Sequence, residues 1–280
     1  MGIEHDGVRA WPTLTTPDPP RRFPLIHVLL LGATGITTTL AQGPAFGLTL
    51  MAILLTHEAG HYVMCRRHHV SASLPYFLPA PPFFLIGTFG AFIRIRSRFP
   101  NRRALFDIGA GGPWAGFVVA LAATVIGLHL STVMPEAPSG SLIELGDSLL
   151  TAWLTRIVLH SDPATVMLHP VAFAGWCGLF VTSLNLLPAG QLDGGHVLYA
   201  AIRQSRLVPA ALLAFLLWLA WRGSPSWILW AIIVATMTGL GHPPTIDDGM
   251  PLDRRRRIGV VLSLVVLVLT FVVEPVKVAP

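Results

Sequence analysis

Long apolar runs with few charges dominate the chain and restrict its fold class more than any other feature. They fall at about residues 24–42, 46–65, 106–130, 168–188, 207–222, 225–241 and 258–274, and each predicts a helix. A soluble domain carries about 25% charged residues. Here the share is 12%, against 53% apolar residues and a mean hydropathy of +0.65. The expected fold is an all-α polytopic membrane protein of about seven transmembrane helices. The runs 207–222 and 225–241 are short against the roughly 20 residues that a crossing needs. With Gly223-Ser224-Pro225-Ser226 at their junction, they predict a tight or re-entrant hairpin.

Cytoplasmic loops collect Lys and Arg, so the 19 basic residues predict orientation. One side receives Arg9, Arg21, Arg22, Arg66, Arg67, Arg94, Arg96, Arg98, Arg102, Arg103, Arg203, Arg206 and Arg254 to Arg257, while Arg156, Arg222 and Lys277 fall on the other. This places the N-terminus in the cytoplasm and the C-terminus outside, in a multi-pass cell-membrane protein. A re-entrant hairpin leaves that parity unchanged. The Arg excess, reflected in a sequence pI near 10.0, is then topogenic and lies beside anionic membrane lipid, and it implies no nucleic-acid partner.

Residues 1–23 hold Pro12, Pro17, Pro19 and Pro20 among scattered polar groups and read as a disordered cytoplasmic tail. The first apolar run reads as a retained helix, because the preceding polar stretch is long for a signal peptide and Thr39-Leu40-Ala41 is a poor cleavage site. Residues 24–42 are thus an accessory transmembrane helix, 43–203 the catalytic core and 204–280 the C-terminal helices. Cys65 and Cys177 lie on different runs without a close-spaced partner and read as packing residues.

Residues 57–61 read His-Glu-Ala-Gly-His. On a helix His57 and His61 share one face about 6 Å apart along the axis, where both imidazoles can bind one zinc ion. Glu58 projects beside them as a carboxylate able to take a proton from water and pass it to a leaving amine. An ionisable group inside a bilayer costs about 3 kcal/mol or more, so these three need partners or a task. Interfacial snorkelling accounts for His61 better than for Glu58.

A catalytic zinc has three protein ligands and one open position, so a third ligand is expected elsewhere. Asp193 is the best candidate. It follows the fourth run in Asn185-Leu186-Leu187-Pro188-Ala189-Gly190-Gln191-Leu192-Asp193-Gly194-Gly195-His196, where Pro188, Gly190, Gly194 and Gly195 interrupt the helix. Broken backbone at membrane depth is tolerated where it lines a polar cavity. The second and fourth runs both pass from outside to inside, so the two motifs reach the same side.

His-Glu-x-x-His together with Asn-x-x-Pro-x-x-x-Leu-Asp-Gly, each on its own membrane helix, closely resembles the site-2 protease family of intramembrane metalloproteases. The resemblance covers roughly residues 46–200 and, more weakly, the final loop and helix, where His242-Pro243-Pro244-Thr245 resembles a segment seen after the core in some bacterial relatives. It implies one zinc ion held by His57, His61 and Asp193, with Glu58 as general base. It also implies a contact of Asn185 with substrate or transition state, although capping of the broken backbone is an equal reading. No further cofactor-binding residue is expected.

Gly87 to Arg94 looks like that family's β-hairpin, and residues 91–96 alternate with Ile93 and Ile95 on one face and Arg94 and Arg96 on the other. Such a strand edge can pair with an unwound substrate, or the hairpin can simply plug the site. Gly109 to Gly112, Pro113 and Gly116 resemble the family's glycine-rich turn and read as close packing. His68 and His69, beside Arg66 and Arg67, read as interfacial polar residues. His129, His160 and His169 fall on the side away from the site. His196 can orient a ligand from behind. His242, in His242-Pro243-Pro244-Thr245, is noted without a role.

The loop 131–167 is too short for the PDZ domain of some relatives, and the stretch after the last run leaves no room for a CBS domain, so a minimal form is expected. The predicted activity is hydrolysis of a peptide bond within or near a transmembrane segment of a membrane protein substrate, in regulated intramembrane proteolysis. A regulatory partner protein is compatible with this. Two alternatives are a zinc peptidase that trims prenylated C-termini, which takes its third ligand from a later Glu, and a membrane metal transporter or sensor using the same His and Asp groups.

Overall fold

A computed structural model describes residues 24–81, 83–134, 144–203, 205–239 and 242–277. The tail expected over 1–23 lies outside these residues. The apolar runs do fold as helices: α1 (Leu25–Gln42), α2 (Pro44–Arg67), α3 (Arg102–His129), α5 (Pro170–Asn185), α7 (Leu207–Trp221), α8 (Ser226–Gly239) and α9 (Arg254–Thr270). Among the described residues two helices beyond the expected seven are present, α4 (Leu149–Leu159) and α6 (Asp193–Ile202). The first lies inside the stretch read as an outer loop, where Ser148 and Thr151 form a reciprocal capping box and Leu150 and Leu154 pack against Ile53, Ala120 and Leu128.

By length and composition, two helices among the described residues are suited to crossing a membrane, α1 and α3, so a count of seven spans is not established. α2 is long enough, but His57, Glu58 and His61 dilute its apolar character. α7 and α8 pack as a hairpin around Leu216, Leu219, Trp227 and Val234. With 15 and 14 residues they extend about 22 Å and 21 Å, short of a hydrocarbon core about 30 Å thick.

The outward faces of α1 and α9 are apolar, while several hydroxyl side chains lie inside. Leu25, Leu29, Ile36 and Leu40 of α1 and Val261 and Val268 of α9 are each more than half exposed, whereas Thr34, Thr38, Thr124, Thr182, Ser183, Ser263 and Thr270 are buried. Water penalises the first pattern, and lipid permits it.

α2, α3 and α5 form the centre. α2 and α3 cross with Gly60 against Gly111, so close that a β-carbon on Gly60 would overlap the Gly111 carbonyl. Small residues allow such backbone approach. Asn101 caps α3 by accepting from the Ala104 N–H at 2.9 Å. Pro113 removes one rung inside α3 without ending it.

At one end, Asp107 of α3 accepts from Nε and Nη2 of Arg256 at 2.8 and 2.6 Å and lies 2.8 Å from His68 Nε2. It thereby joins α2, α3 and α9. His68 is therefore a bridge between helices, not merely an interfacial polar group. Cys65 and Cys177 are buried in apolar clusters, as expected.

A β-hairpin lies between α2 and α3. Its strands β1 (Tyr76–Pro79) and β2 (Thr88–Phe92) pair antiparallel, Tyr76 opposite Phe92 and Phe77 opposite Ala91. Pairing continues irregularly through the Ser73 N–H to Arg94 and the Arg96 N–H to Ser71. Ile93 and Ile95 pack inward on Cys65, Val70 and Ile108 while Arg94 and Arg96 are exposed, matching the expected alternation. Two further pairs close the opposite end: β3 (Thr132–Val133) with β5 (Val166–Met167), and β4 (Glu144–Leu145) with β6 (Val276–Lys277).

Candidate metal centre

α2 continues unbroken through its polar positions, so His57 and His61, one turn apart, face the same way into the α2–α3–α5 junction. His57, Glu58 and His61 are only 5%, 4% and 7% exposed. Pro170 starts α5 at its first turn, where the missing N–H costs nothing. At the other end α5 stops at Asn185, before Pro188. The chain then turns through residues 186–192 and begins α6 with Asp193. Gly194 and Gly195 let the first turn of α6 press on the carbonyls of Leu186, Ala189 and Gly190. Two helices and a broken connector thus bring residues separated by more than a hundred positions to one point.

The Nε2 atoms of His57 and His61 are 3.1 Å apart, and Asp193 Oδ2 lies 3.5 Å from the first and 3.3 Å from the second. Zinc holds nitrogen and oxygen donors at about 2.0–2.1 Å, so tetrahedral ligands stand about 3.3 Å from one another. The observed triangle has that size, with one donor atom each from His57, His61 and Asp193 lying within 4.8 Å of the others. The donor set also has the right chemistry, two imidazoles and a carboxylate. His61 Nδ1 donates to the Ile108 carbonyl at 2.8 Å, which fixes the tautomer and leaves the Nε2 lone pair for a metal.

Packing shapes the same pocket from the α3 side. A β-carbon at Gly112 would overlap the His61 ring, and one at Gly116 would come within 3.0 Å of His57 Nδ1. The glycines expected to serve only helix packing therefore also make room for two imidazoles.

Glu58 Oε2 is buried and has no hydrogen-bond partner among the described residues, while the backbone of Ile93, just past β2, faces the same carboxylate. An unpartnered buried carboxylate oxygen is costly unless something uses it. Asn185 Nδ2 lies 3.3 Å from His57 Nε2, so the amide borders the cluster. His129, His160 and His169 take no part in the cluster; His169 instead caps α5.

Sequence reasoning left His242 without a role and placed His196 only loosely. The two rings meet, with His196 Nδ1 2.7 Å from His242 Nε2. His242 also stacks on Tyr199, whose hydroxyl donates to Asp248 at 2.7 Å. Outside the helices, burial pushes His242 below its ordinary pKa. For Asp248, partial desolvation is outweighed by hydrogen bonds from Thr245 and Tyr199, which hold the carboxyl below its usual range.

Residues 45–217 match the sequence profile of peptidase family M50. The chain belongs to that family. Curated relatives include the probable zinc metalloprotease EGY1, chloroplastic, of Oryza sativa subsp. japonica, 34% identical over 232 residues that cover 80% of this chain and 39% of the relative. The protein of the same name from Arabidopsis thaliana is 35% identical, with 79% and 41% covered. A probable zinc metalloprotease EGY2, chloroplastic, of Oryza sativa subsp. indica is 30% identical over 186 residues, covering 64% of this chain and 33% of its own length. The chain spans about two fifths of the EGY1 proteins. The M50 assignment bears out the site-2 protease resemblance drawn from the two motifs.

Proposed function

We propose that this M50 chain is an intramembrane zinc metalloprotease that hydrolyses a peptide bond within or near a transmembrane segment of another membrane protein. One observation carries the reading: three donors able to bind a metal converge in a buried pocket beside a carboxylate oxygen that has no hydrogen-bond partner among the described residues. His57, His61 and Asp193 are the residues that would hold zinc. When bound there, the ion supplies Lewis-acid polarisation of a scissile carbonyl and makes water more acidic.

The chain's own groups do the rest. Glu58 Oε2 accepts a proton from the attacking water and returns it to the leaving amide nitrogen. The Asn185 side-chain N–H donates to the carbonyl oxygen as charge develops on it. β2 and Ile93, against Glu58, offer backbone to an unwound substrate, and main-chain pairing serves many sequences alike. Helices around the pocket exclude bulk water, which strengthens each of these interactions.

The apolar outward faces of α1 and α9 support membrane embedding, and the lopsided Arg distribution supports an N-terminus and site on the cytoplasmic side of a cell membrane. In this reading residues 24–42 form an accessory span, 43–203 the catalytic core and 204–280 the C-terminal helices, with about seven crossings, α7 and α8 included as a short pair. A metal transporter would use the same ligands but leaves Glu58 without a task, so it is the weaker reading.

The test is purified protein in lipid nanodiscs with a transmembrane peptide library. Chelation abolishes cleavage and stoichiometric zinc restores it, while Asp193→Ala binds less than one zinc per chain and cleaves nothing. Zinc flux into proteoliposomes without any proteolysis would contradict the proposal.

A further inference from the structure

We infer that His242 is a positioning residue that, through His196, holds the first turn of α6 and so keeps Asp193 beside the two metal-binding imidazoles. The inference rests on the zinc-site reading above and adds a residue to it from a segment far along the chain.

Proton assignments follow from the partners. His242 Nδ1 lies 2.7 Å from the Pro243 carbonyl, which can only accept, so Nδ1 carries the proton. Its Nε2 is then an acceptor. His196 Nδ1, 2.7 Å away, must be the donor, and the two rings stand edge to face at 89°. The Pro243 carbonyl thus fixes the tautomer of His242, and His242 in turn fixes that of His196.

His196 follows Asp193 by one helical turn, so the two are neighbours along one side of α6. On the α3 side, Gly109 brings its backbone so close that a β-carbon would lie 2.7 Å from His196 Cβ and 3.2 Å from the Asp193 carbonyl. The Phe99 ring lies against His196 as well, at 5.4 Å between centroids. The first turn of α6 is therefore clamped between α3 and His242.

That clamp has to come from outside α5. Between α5 and α6 the backbone is held by isolated turn bonds, Ala189 N–H to Leu187 at 2.8 Å and Leu192 N–H to Ala189 at 3.1 Å, not by continuous helix. The segment carrying His242 is anchored independently. Its Ile246 and Asp247 N–H groups donate to Phe99 and Pro100 at 2.9 Å each, and Arg98 reaches the Pro244 carbonyl at 3.3 Å. It also grips the far end of α6, where Tyr199 donates to Asp248 and Arg203 to the Asp248 carbonyl at 2.9 Å. Residues 242–249 act as a strap that ties α6 to the start of α3.

The experiment compares His242→Ala, His242→Gln and Tyr199→Phe with wild type, measuring zinc per chain against graded chelator, kcat and KM separately, and thermal unfolding. Removing a partner behind a ligand costs about 10–100-fold in metal affinity or activity. His242→Ala is expected to release zinc at about tenfold lower chelator concentration and to lose kcat with KM unchanged. Gln, whose amide oxygen can accept the His196 proton, is expected to restore most of both. Tyr199→Phe removes one hydrogen bond of the strap while keeping the aromatic ring and is expected to shift zinc release by about threefold, a comparison that holds even where alanine impairs folding. Wild-type zinc retention in His242→Ala or in Tyr199→Phe, or a Gln variant as impaired as the Ala one, would overturn the inference while leaving the zinc site intact. Wild-type protein that binds no zinc would overturn both.

Discussion

Gly112 of α3 stands against the His61 imidazole so closely that a β-carbon there would occupy the ring's space. A helix-packing residue thereby sets the position of a nitrogen proposed to bind metal. Since His61 is also tied to Ile108 of the same helix, it cannot swing away without breaking that bond.

Substitutions along α1 and α3 are therefore expected to rank by what the added methyl meets. Overpacking costs about 1–3 kcal/mol, or about 5–150-fold in an equilibrium. Gly112→Ala, against His61, is expected to weaken zinc binding at the upper end. Gly116→Ala, against His57, falls lower, and Gly32→Ala on α1, with nothing within 4 Å, has no effect. Titration with a fluorescent zinc chelator reads the order directly, and equal affinities across the three would detach the glycines from the site.

Asn185 borders the cluster without belonging to it. Removing one donor to a developing oxyanion costs about 10²–10³ in kcat. Asn185→Ala is expected to show such a loss with KM and zinc content near wild type and the melting temperature little changed. A large drop in melting temperature with kcat preserved would instead mark Asn185 as a structural cap of α5.

Asp107 binds both His68 and Arg256, and its side chain is 16% exposed. Breaking a largely buried pair from one side costs about 3 kcal/mol, because the other charge is left without its partner. Asp107→Asn is expected to lower stability by roughly that amount in detergent unfolding, discounted for partial exposure to about 2 kcal/mol. Its printed bonds run to His68 and Arg256 and not to His57, His61 or Asp193, so the candidate site should keep its zinc occupancy at low temperature. An unchanged melting temperature would remove Asp107 from the structural framework.

Much of the site was legible because its signals are local. His57 and His61 share a face by helical period alone, and Asp193 stands out because Pro188 and the glycines around it break a helix where breakage needs a reason. The alternation of Ile93 and Ile95 with the two arginines is equally local. What could not be read depends on tertiary contact. α4 and α6 are too short to register as apolar runs, and Asp193-Gly194-Gly195 reads as a breaker although it opens a helix packed on carbonyls. His68 looked like one of several interfacial polar residues until Asp107 was brought against it. His242 has no pattern in its neighbourhood that points to His196, 46 positions earlier. The seven-span count was an inference from runs, and among the described residues only α1 and α3 have the length and composition to support it unaided.

The most direct measurement is cleavage and zinc content of Glu58→Gln side by side in lipid nanodiscs. Gln preserves the shape of a buried side chain but cannot take a proton, and Glu58 is not among the converging metal donors. The expected result is one zinc per chain, as in wild type, with cleavage of a transmembrane peptide reduced at least about a hundredfold, the scale of general-base catalysis. Undiminished cleavage by Glu58→Gln would contradict the proposed protease mechanism at its centre.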